Sequence, residues 1–387
     1  MGFSMDRLER LHTGIQSYID EQKHAGAITA IVRNGKIVDF KTYGYRDLEA
    51  HAPMERDTIV RIYSMSKVIT SAAVMILFEE GRFGLDDPVS RYIPELRNLK
   101  VFTGGAADQP QLVDAKRPVT IKHLLTHTAG FAYDFSATGA LKELYQKADL
   151  LESPSLKEFT ERLARLPLVH QPGEAFNYGV NTDVLGYLVE VISNQPLETF
   201  CERRLFGPLR MKDTGFDVPA DKMKRLAVLY ENGPDGKFHA MPPPYGTYAE
   251  KGRGFASGGG GLFSTADDYI RFAQMLLNGG RLDGRQILGR KTVELMMSNH
   301  LNHLALPAMP GNSSEGFGLG GSVRIDLARG NSPGSLGQFG WSGAATTTFN
   351  IDPKEKTIAL LFTQHLPFNQ HGIFAKFYTL FYSSLVD

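Results

Sequence analysis

The strand signals of this chain lie at its two ends and almost nowhere between them. Near the N-terminus, Ala27-Ile28-Thr29-Ala30-Ile31-Val32 and Ile37-Val38-Asp39-Phe40 flank Arg33-Asn34-Gly35-Lys36, and Asn-Gly between two β-rich runs marks a hairpin. Near the C-terminus, β-like runs cover 322–327, 345–351 and 357–363, the last two joined by the turn sequence Asp352-Pro353-Lys354-Glu355-Lys356. Residues 85–235 read instead as short helices joined by Pro and Gly loops, among them 121–125, 155–165 and 183–193. A sheet has to bury a face against another layer. The two ends are therefore expected to join in one antiparallel sheet. Amphipathic helices at 5–23 (Leu8, Leu11, Ile15, Tyr18, Ile19) and 372–385 (Phe374, Phe377, Tyr378, Phe381) would flank it. This predicts an α/β (α+β) architecture, with residues 1–84 and 236–387 as a discontinuous sheet domain and 85–235 as an all-α domain. Clefts between such lobes are where small-molecule sites usually lie.

Composition narrows the ligand. Lys plus Arg and Asp plus Glu both number 42, so the formal net charge is zero, and no block of like charge stands out. Nucleic acid and anionic membrane both need a concentrated basic surface, so neither is an expected partner. A neutral small molecule is. The single cysteine, Cys201, excludes an internal disulfide framework and a cysteine-rich zinc module, and its setting in an amphipathic helix suits a buried, inert thiol. The first eleven residues carry Asp6, Arg7, Glu9 and Arg10 and no signal-peptide core, and no run of about 18 apolar residues occurs, so a cytoplasmic monomer or homodimer is expected. The pairs His123/His127 and His300/His303 lack the glutamate of a His-Glu-x-x-His site and any nearby Cys. They read as packing or capping residues, and no metal or cofactor is expected.

The chemistry-bearing signal is Ser64-Met65-Ser66-Lys67, set before an apolar run that reads as a helix to about residue 80, closed by Gly81. The spacing puts a hydroxyl and an amine on one helix face about a turn apart, close enough to share a proton. A serine hydroxyl is a poor nucleophile until a base takes that proton, and a lysine held in its neutral form can act as the base. The spacing alone arises by chance about once in a chain of this length, so context decides. Downstream, Phe176-Asn177-Tyr178-Gly179-Val180-Asn181 places a tyrosine on a loop before a helix, where it can relay a proton to a leaving oxygen. Gly340-Trp341-Ser342-Gly343-Ala344 leads into the strand at 345–351, where small residues let backbone N–H groups approach a bound carbonyl. An oxyanion hole from the N–H groups of Ser64 and Ala344 would follow.

A rival serine exists. Gly330-Asn331-Ser332-Pro333-Gly334 matches Gly-x-Ser-x-Gly formally, with Asp352 and His365 or His371 downstream in α/β-hydrolase order. That elbow needs a strand before the serine and a helix after it, and Pro333, Gly334 and Gly337 make this segment a loop.

Together these residues resemble the β-lactamase and penicillin-binding-protein superfamily of serine hydrolases, most of all the class C β-lactamase-like (family VIII) carboxylesterases. The likeness covers nearly the whole chain and includes Leu124-Leu125-Thr126-His127-Thr128-Ala129-Gly130 and Gly260-Gly261-Leu262-Phe263-Ser264-Thr265-Ala266-Asp267-Asp268. It implies a β-lactamase/transpeptidase-like fold, an acyl-enzyme on Ser64, Lys67 and Tyr178 as the proton-transfer pair, and no cofactor. Two departures stand out. Val180 occupies the asparagine place of the second motif, and Trp341-Ser342-Gly343 replaces Lys-Thr-Gly, removing the cation that would hold a β-lactam carboxylate. The implied substrate is an uncharged short-chain acyl or aryl ester, with a β-lactamase or D-Ala-D-Ala peptidase, an acyltransferase using the same residues, and a catalytically inactive binding domain as the alternatives. Trp341, Ser342, Gly343, Val180, Tyr133 and Tyr245 are its candidate contacts, with Phe135, Tyr248, Phe255 and Phe317 as further loop aromatics.

Overall fold

Asn34 and Gly35 take φ values of 51° and 73°, the double left-handed turn that folds the strand Gly26–Arg33 back onto Lys36–Asp47. The computed structural model describes residues 2–242, 254–309 and 312–387. Within them one eight-stranded antiparallel sheet runs in the order Glu315–Phe317, Ser322–Arg324, Phe339–Gly343, Thr347–Asp352, Thr357–Phe362, Gly26–Arg33, Lys36–Asp47 and Ala52–Pro53. The two chain ends meet at its centre, where Ile28 pairs with Phe362 and Val32 with Ile358.

Alternation along the central strands divides the core in two. Ala27, Ile31, Ala359 and Leu361 face the terminal helices Met5–Asp20 and Ile373–Ser384, which contribute Leu8, Leu11, Ile15, Phe377 and Phe381. Ile28, Ala30, Val32, Leu360 and Phe362 face the opposite way, onto the helices Ser66–Glu79 and Ala266–Leu277. Every residue from Ser66 to Leu77 is buried, the polar Ser66, Lys67, Thr70 and Ser71 included. Beyond it pack Ile121–Leu125, Leu156–Leu163, Asn181–Ser193 and Leu197–Cys201, whose apolar faces join the same core. Cys201 is buried among them. No helix among the described residues is long and apolar enough to cross a membrane.

Three local features differ from the sequence reading. Lys100–Ala106 and Gln109–Asp114 form a hairpin inside the helical region. It lies at the surface, with Leu112 and Val113 at 42% and 45% exposure, so it lacks the apolar alternation that signals a strand. Phe339–Gly343 is a strand in its own right, not the entrance to the next one: a tight turn with Thr346 at φ 60° and its N–H on the Gly343 carbonyl separates it from Thr347–Asp352. The expected division at residue 235 falls in the turn of a third hairpin, Tyr230–Asn232 with Phe238–Ala240, whose Tyr230 pairs with His365.

Candidate active site

Ser64 sits in the single turn Tyr63–Met65 that feeds the helix Ser66–Glu79. Tyr63, immediately before it, is held at φ 41°, a left-handed conformation that costs a non-glycine residue free energy and recurs at functional sites. The strain is held in place by close packing. A Cβ on Gly343 would lie 2.3 Å from the Ile62 carbonyl oxygen, so glycine alone lets the end of the Phe339–Gly343 strand lie against the turn that carries Ser64. Among the described residues, neither the Ser64 nor the Ala344 N–H has a backbone acceptor.

Lys67 is fully buried. Its Nζ donates to Ser64 Oγ (3.2 Å), Tyr133 Oη (3.0 Å) and the Gly259 carbonyl (2.6 Å). It also lies 4.9 Å from the centre of the Tyr178 ring. The structure thus brings Ser64, Lys67 and both tyrosines together, but with distinct contacts. The Tyr133 hydroxyl touches Lys67, whereas the Tyr178 hydroxyl accepts from Trp341 Nε1 at 3.3 Å.

The Tyr178 loop is carried by His127, itself at φ 55°. The His127 carbonyl accepts the Asn177 N–H at 2.8 Å, and its Nδ1 accepts the Gly179 N–H at 3.4 Å and lies 2.9 Å from the Asn181 amide. Accepting at Nδ1 puts the ring proton on Nε2. Burial, then nearby Lys67, holds the imidazole pKa well below its ordinary value, so His127 stays neutral under Tyr178, ring centres 4.9 Å apart. His123 belongs to a helix cap, exchanging hydrogen bonds with Thr120. Among the described residues no cluster of three or more His, Cys, Asp or Glu is arranged to hold a metal ion.

Asp183 had no place in the sequence reading of the site. It is fully buried, and its Oδ1 accepts from Ser257 Oγ (2.6 Å) and the Gly259 N–H (3.0 Å), so it anchors the loop whose Gly259 carbonyl holds Lys67. Burial raises its carboxyl pKa, against the lowering effect of Lys67 and these donors. At the head of a helix such a residue reads as an ordinary N-terminal acid. No local pattern distinguishes it.

The remaining candidates separate. Trp341 and Ser342 line a 580 Å³ cavity together with Tyr178 and Asn177. Val180 is only 1% exposed, packs in the core and is not part of that lining; with Tyr133 it lines a separate, smaller cavity. Tyr133 stacks on Phe135 with ring centres 4.8 Å apart. Tyr245 and Tyr248 lie outside the described residues. Ser332 lies in an irregular loop, Asp352 accepts from Tyr382 Oη (2.9 Å), and His365 sits beside His24 and His371, so no second triad forms.

The partly exposed Ser64 and the buried Lys67 meet at the head of a helix beside the end of the strand Phe339–Gly343, and comparison with known proteins gives this arrangement a family. The Beta-lactamase family profile matches residues 11–382. The chain belongs to the β-lactamase family. Esterase EstB of Burkholderia gladioli is 30% identical, across 93% of this chain and 92% of its own. Lovastatin esterase of Penicillium rubens is 32% identical, across 89% and 90%. EstCE1, described as a hydrolase with promiscuous acyltransferase activity, superposes with a TM-score of 0.83 at 26% identity over 98% of both chains. These relatives put the chain on the esterase branch of the β-lactamase family.

Proposed function

We propose that this β-lactamase-family protein is a serine carboxylesterase that hydrolyses uncharged short-chain acyl or aryl esters through an acyl-enzyme on Ser64. The observation that carries the reading is the fully buried Lys67 with its Nζ 3.2 Å from Ser64 Oγ. Lys67 Nζ takes the hydroxyl proton while Oγ bonds to the ester carbonyl carbon. The carbonyl oxygen gathers negative charge between the Ser64 and Ala344 N–H groups. The C–O bond to the alcohol then breaks, and the departing oxygen receives a proton by way of Tyr178, whose hydroxyl faces the Trp341 indole. Water repeats the sequence on the acyl-enzyme, releasing the acid and restoring Ser64. Tyr133 and the Gly259 carbonyl hold Lys67 in line.

The ester preference is supported by esterase-named relatives and by Trp341, an uncharged ring where β-lactam recognition requires a cation. Transfer to an alcohol in place of water uses the same groups, and the promiscuous acyltransferase activity of EstCE1 keeps that reading as the alternative. Intact-mass analysis after exposure to an aryl butyrate, a cephalosporin and a penicillin tests both the site and the acyl donor. A butyryl adduct on Ser64, lost in Ser64→Ala and kept in Ser332→Ala, is expected. Full esterase activity in Ser64→Ala would sink the assignment.

A further inference from the structure

The 580 Å³ cavity is lined by Tyr178 and Trp341, by the strand Phe339–Gly343, and by Phe374 and Tyr378 of the C-terminal helix. Its volume suits a small organic ligand. Phe176, Met309 and Trp341 pack together and make the Tyr178 end of the lining apolar, and the Tyr378 end carries the polar Thr348 and Asn350 beside Phe374. Asn350, opposite Gly340 in the ladder, lines that end at 2% exposure, and neither its Oδ1 nor its Nδ2 has a hydrogen-bond partner among the described residues. Arg324, 7% exposed, lines it too, and its Nε is likewise unpartnered. Its other nitrogens make only long contacts, 3.5 Å to Glu315 and 3.4 Å to the Ser332 carbonyl.

Leaving a buried amide unpaired costs free energy, and native proteins keep such groups where something else completes them. The charges decide what. Arg324 already has Glu315 as its counter-ion, so the lining carries no net charge and an ionised group entering it would face one member of that pair unfavourably. A neutral group with a donor and an acceptor side by side matches Asn350. Tyr178 decides which part of a substrate enters: it lines the cavity, and in the ester-hydrolase reading it hands its proton to the departing alcohol.

We propose that this cavity is a specificity site for the alcohol arm of the ester, selecting arms that carry, beyond an apolar spacer, an uncharged hydrogen-bonding end such as a hydroxyl or carboxamide paired with Asn350. The inference rests on the ester-hydrolase reading of Ser64 and adds a substrate class to it.

Butyrate esters of hexan-1-ol, hexane-1,6-diol and 6-hydroxyhexanamide share one acyl-enzyme, so differences in kcat/KM report the alcohol arm alone. The quantity read is the kcat/KM of each polar-ended ester divided by that of hexyl butyrate, within one preparation, which cancels any loss of folded protein. In Asn350→Leu that ratio is expected to fall at least fivefold from its wild-type value. A smaller fall overturns the proposal. Should Asn350→Leu fail to fold, inhibition of wild-type turnover by the free alcohols decides: 6-hydroxyhexanamide inhibiting at lower concentration than hexan-1-ol supports the site, and the reverse or equal order overturns it. Loss of all butyrate turnover in Ser64→Ala, measured beside these, keeps a failure of the specificity site distinct from a failure of the ester-hydrolase reading.

Discussion

Adjacent glycines of the loop after Ser257 offer a matched pair of substitutions. A Cβ on Gly259 would lie 2.4 Å from Asp183 Oδ2 and 2.9 Å from Tyr133 Oη, whereas one on Gly260 would find nothing nearer than the Tyr63 carbonyl carbon at 3.9 Å. Neither glycine has a positive φ, so both accept alanine as far as the backbone is concerned, and both gain about 0.4–1 kcal/mol from a less flexible unfolded chain. The difference between them is therefore the clash. Asp183 cannot swing away cheaply, because its other oxygen is pinned by Ser257 Oγ and the Gly259 N–H. Overpacking of this kind costs about 1–3 kcal/mol. With an unfolding entropy of about 2.1 cal/mol/K per residue over 387 residues, that lowers Tm by about 1–4 °C. Activity should suffer more. The Gly259 carbonyl that must move is the shortest contact of Lys67, at 2.6 Å, and an ångström of misplacement in a reacting group costs about a hundredfold. Gly259→Ala is thus expected to lose about a hundredfold in kcat/KM on p-nitrophenyl butyrate, while Gly260→Ala stays near wild type in both rate and Tm. Equal activity in the two variants would refute the idea that this loop positions the lysine.

The two tyrosines should part in the same assay. Tyr178→Phe is expected to cost about 10²–10⁴ in kcat as a lost proton donor, and Tyr133→Phe about tenfold as one lost hydrogen bond to Lys67; the opposite order would transfer the proton role to Tyr133. Acid should destabilise the fold through the histidine cluster: burial, then neighbouring histidines, pushes His24 down to about 2, and burial pushes His365 down to about 4. The unfolded chain takes up those protons near 6.5, so this stability is complete above pH 6.5. It drains away as pH falls, to about 4 for His365 and on toward 2 for His24, at about 1.4 kcal/mol per pH unit per group. Urea midpoints at pH 7 and 5 measure it, and His24→Leu should flatten the slope; an unchanged slope would remove His24 from the account. Cys201 should resist thiol reagents in the native state, since burial pushes its pKa up, and react only on unfolding; rapid native labelling contradicts its place in the core.

Where the structure follows the sequence, the controlling interactions are local. Asn34-Gly35 turns the first hairpin because both residues tolerate positive φ, and Thr265 caps its helix by accepting the Asp268 N–H. Ser64 and Lys67 meet because three residues are about one helical turn. The missed hairpin at 100–114 follows the same logic in reverse, since its exposed residues carry no burial pattern to read.

The remaining contacts of the site have no such spacing. Tyr133 is 66 residues from Lys67 and Gly259 is 192, and Asp183 reaches that glycine across 76. Each partner comes from a segment that reads, alone, as an ordinary loop or helix start. The chain as a sequence thus indicated most of the elements, the meeting of its two ends in one sheet, and Ser64 with its nearest amine. Packing settled how Lys67 is held, which tyrosine touches it, and where the cavity beside Trp341 ends. Local conformation is set by neighbours within a turn or two, whereas a site's geometry is set by side chains that only the close-packed fold brings together.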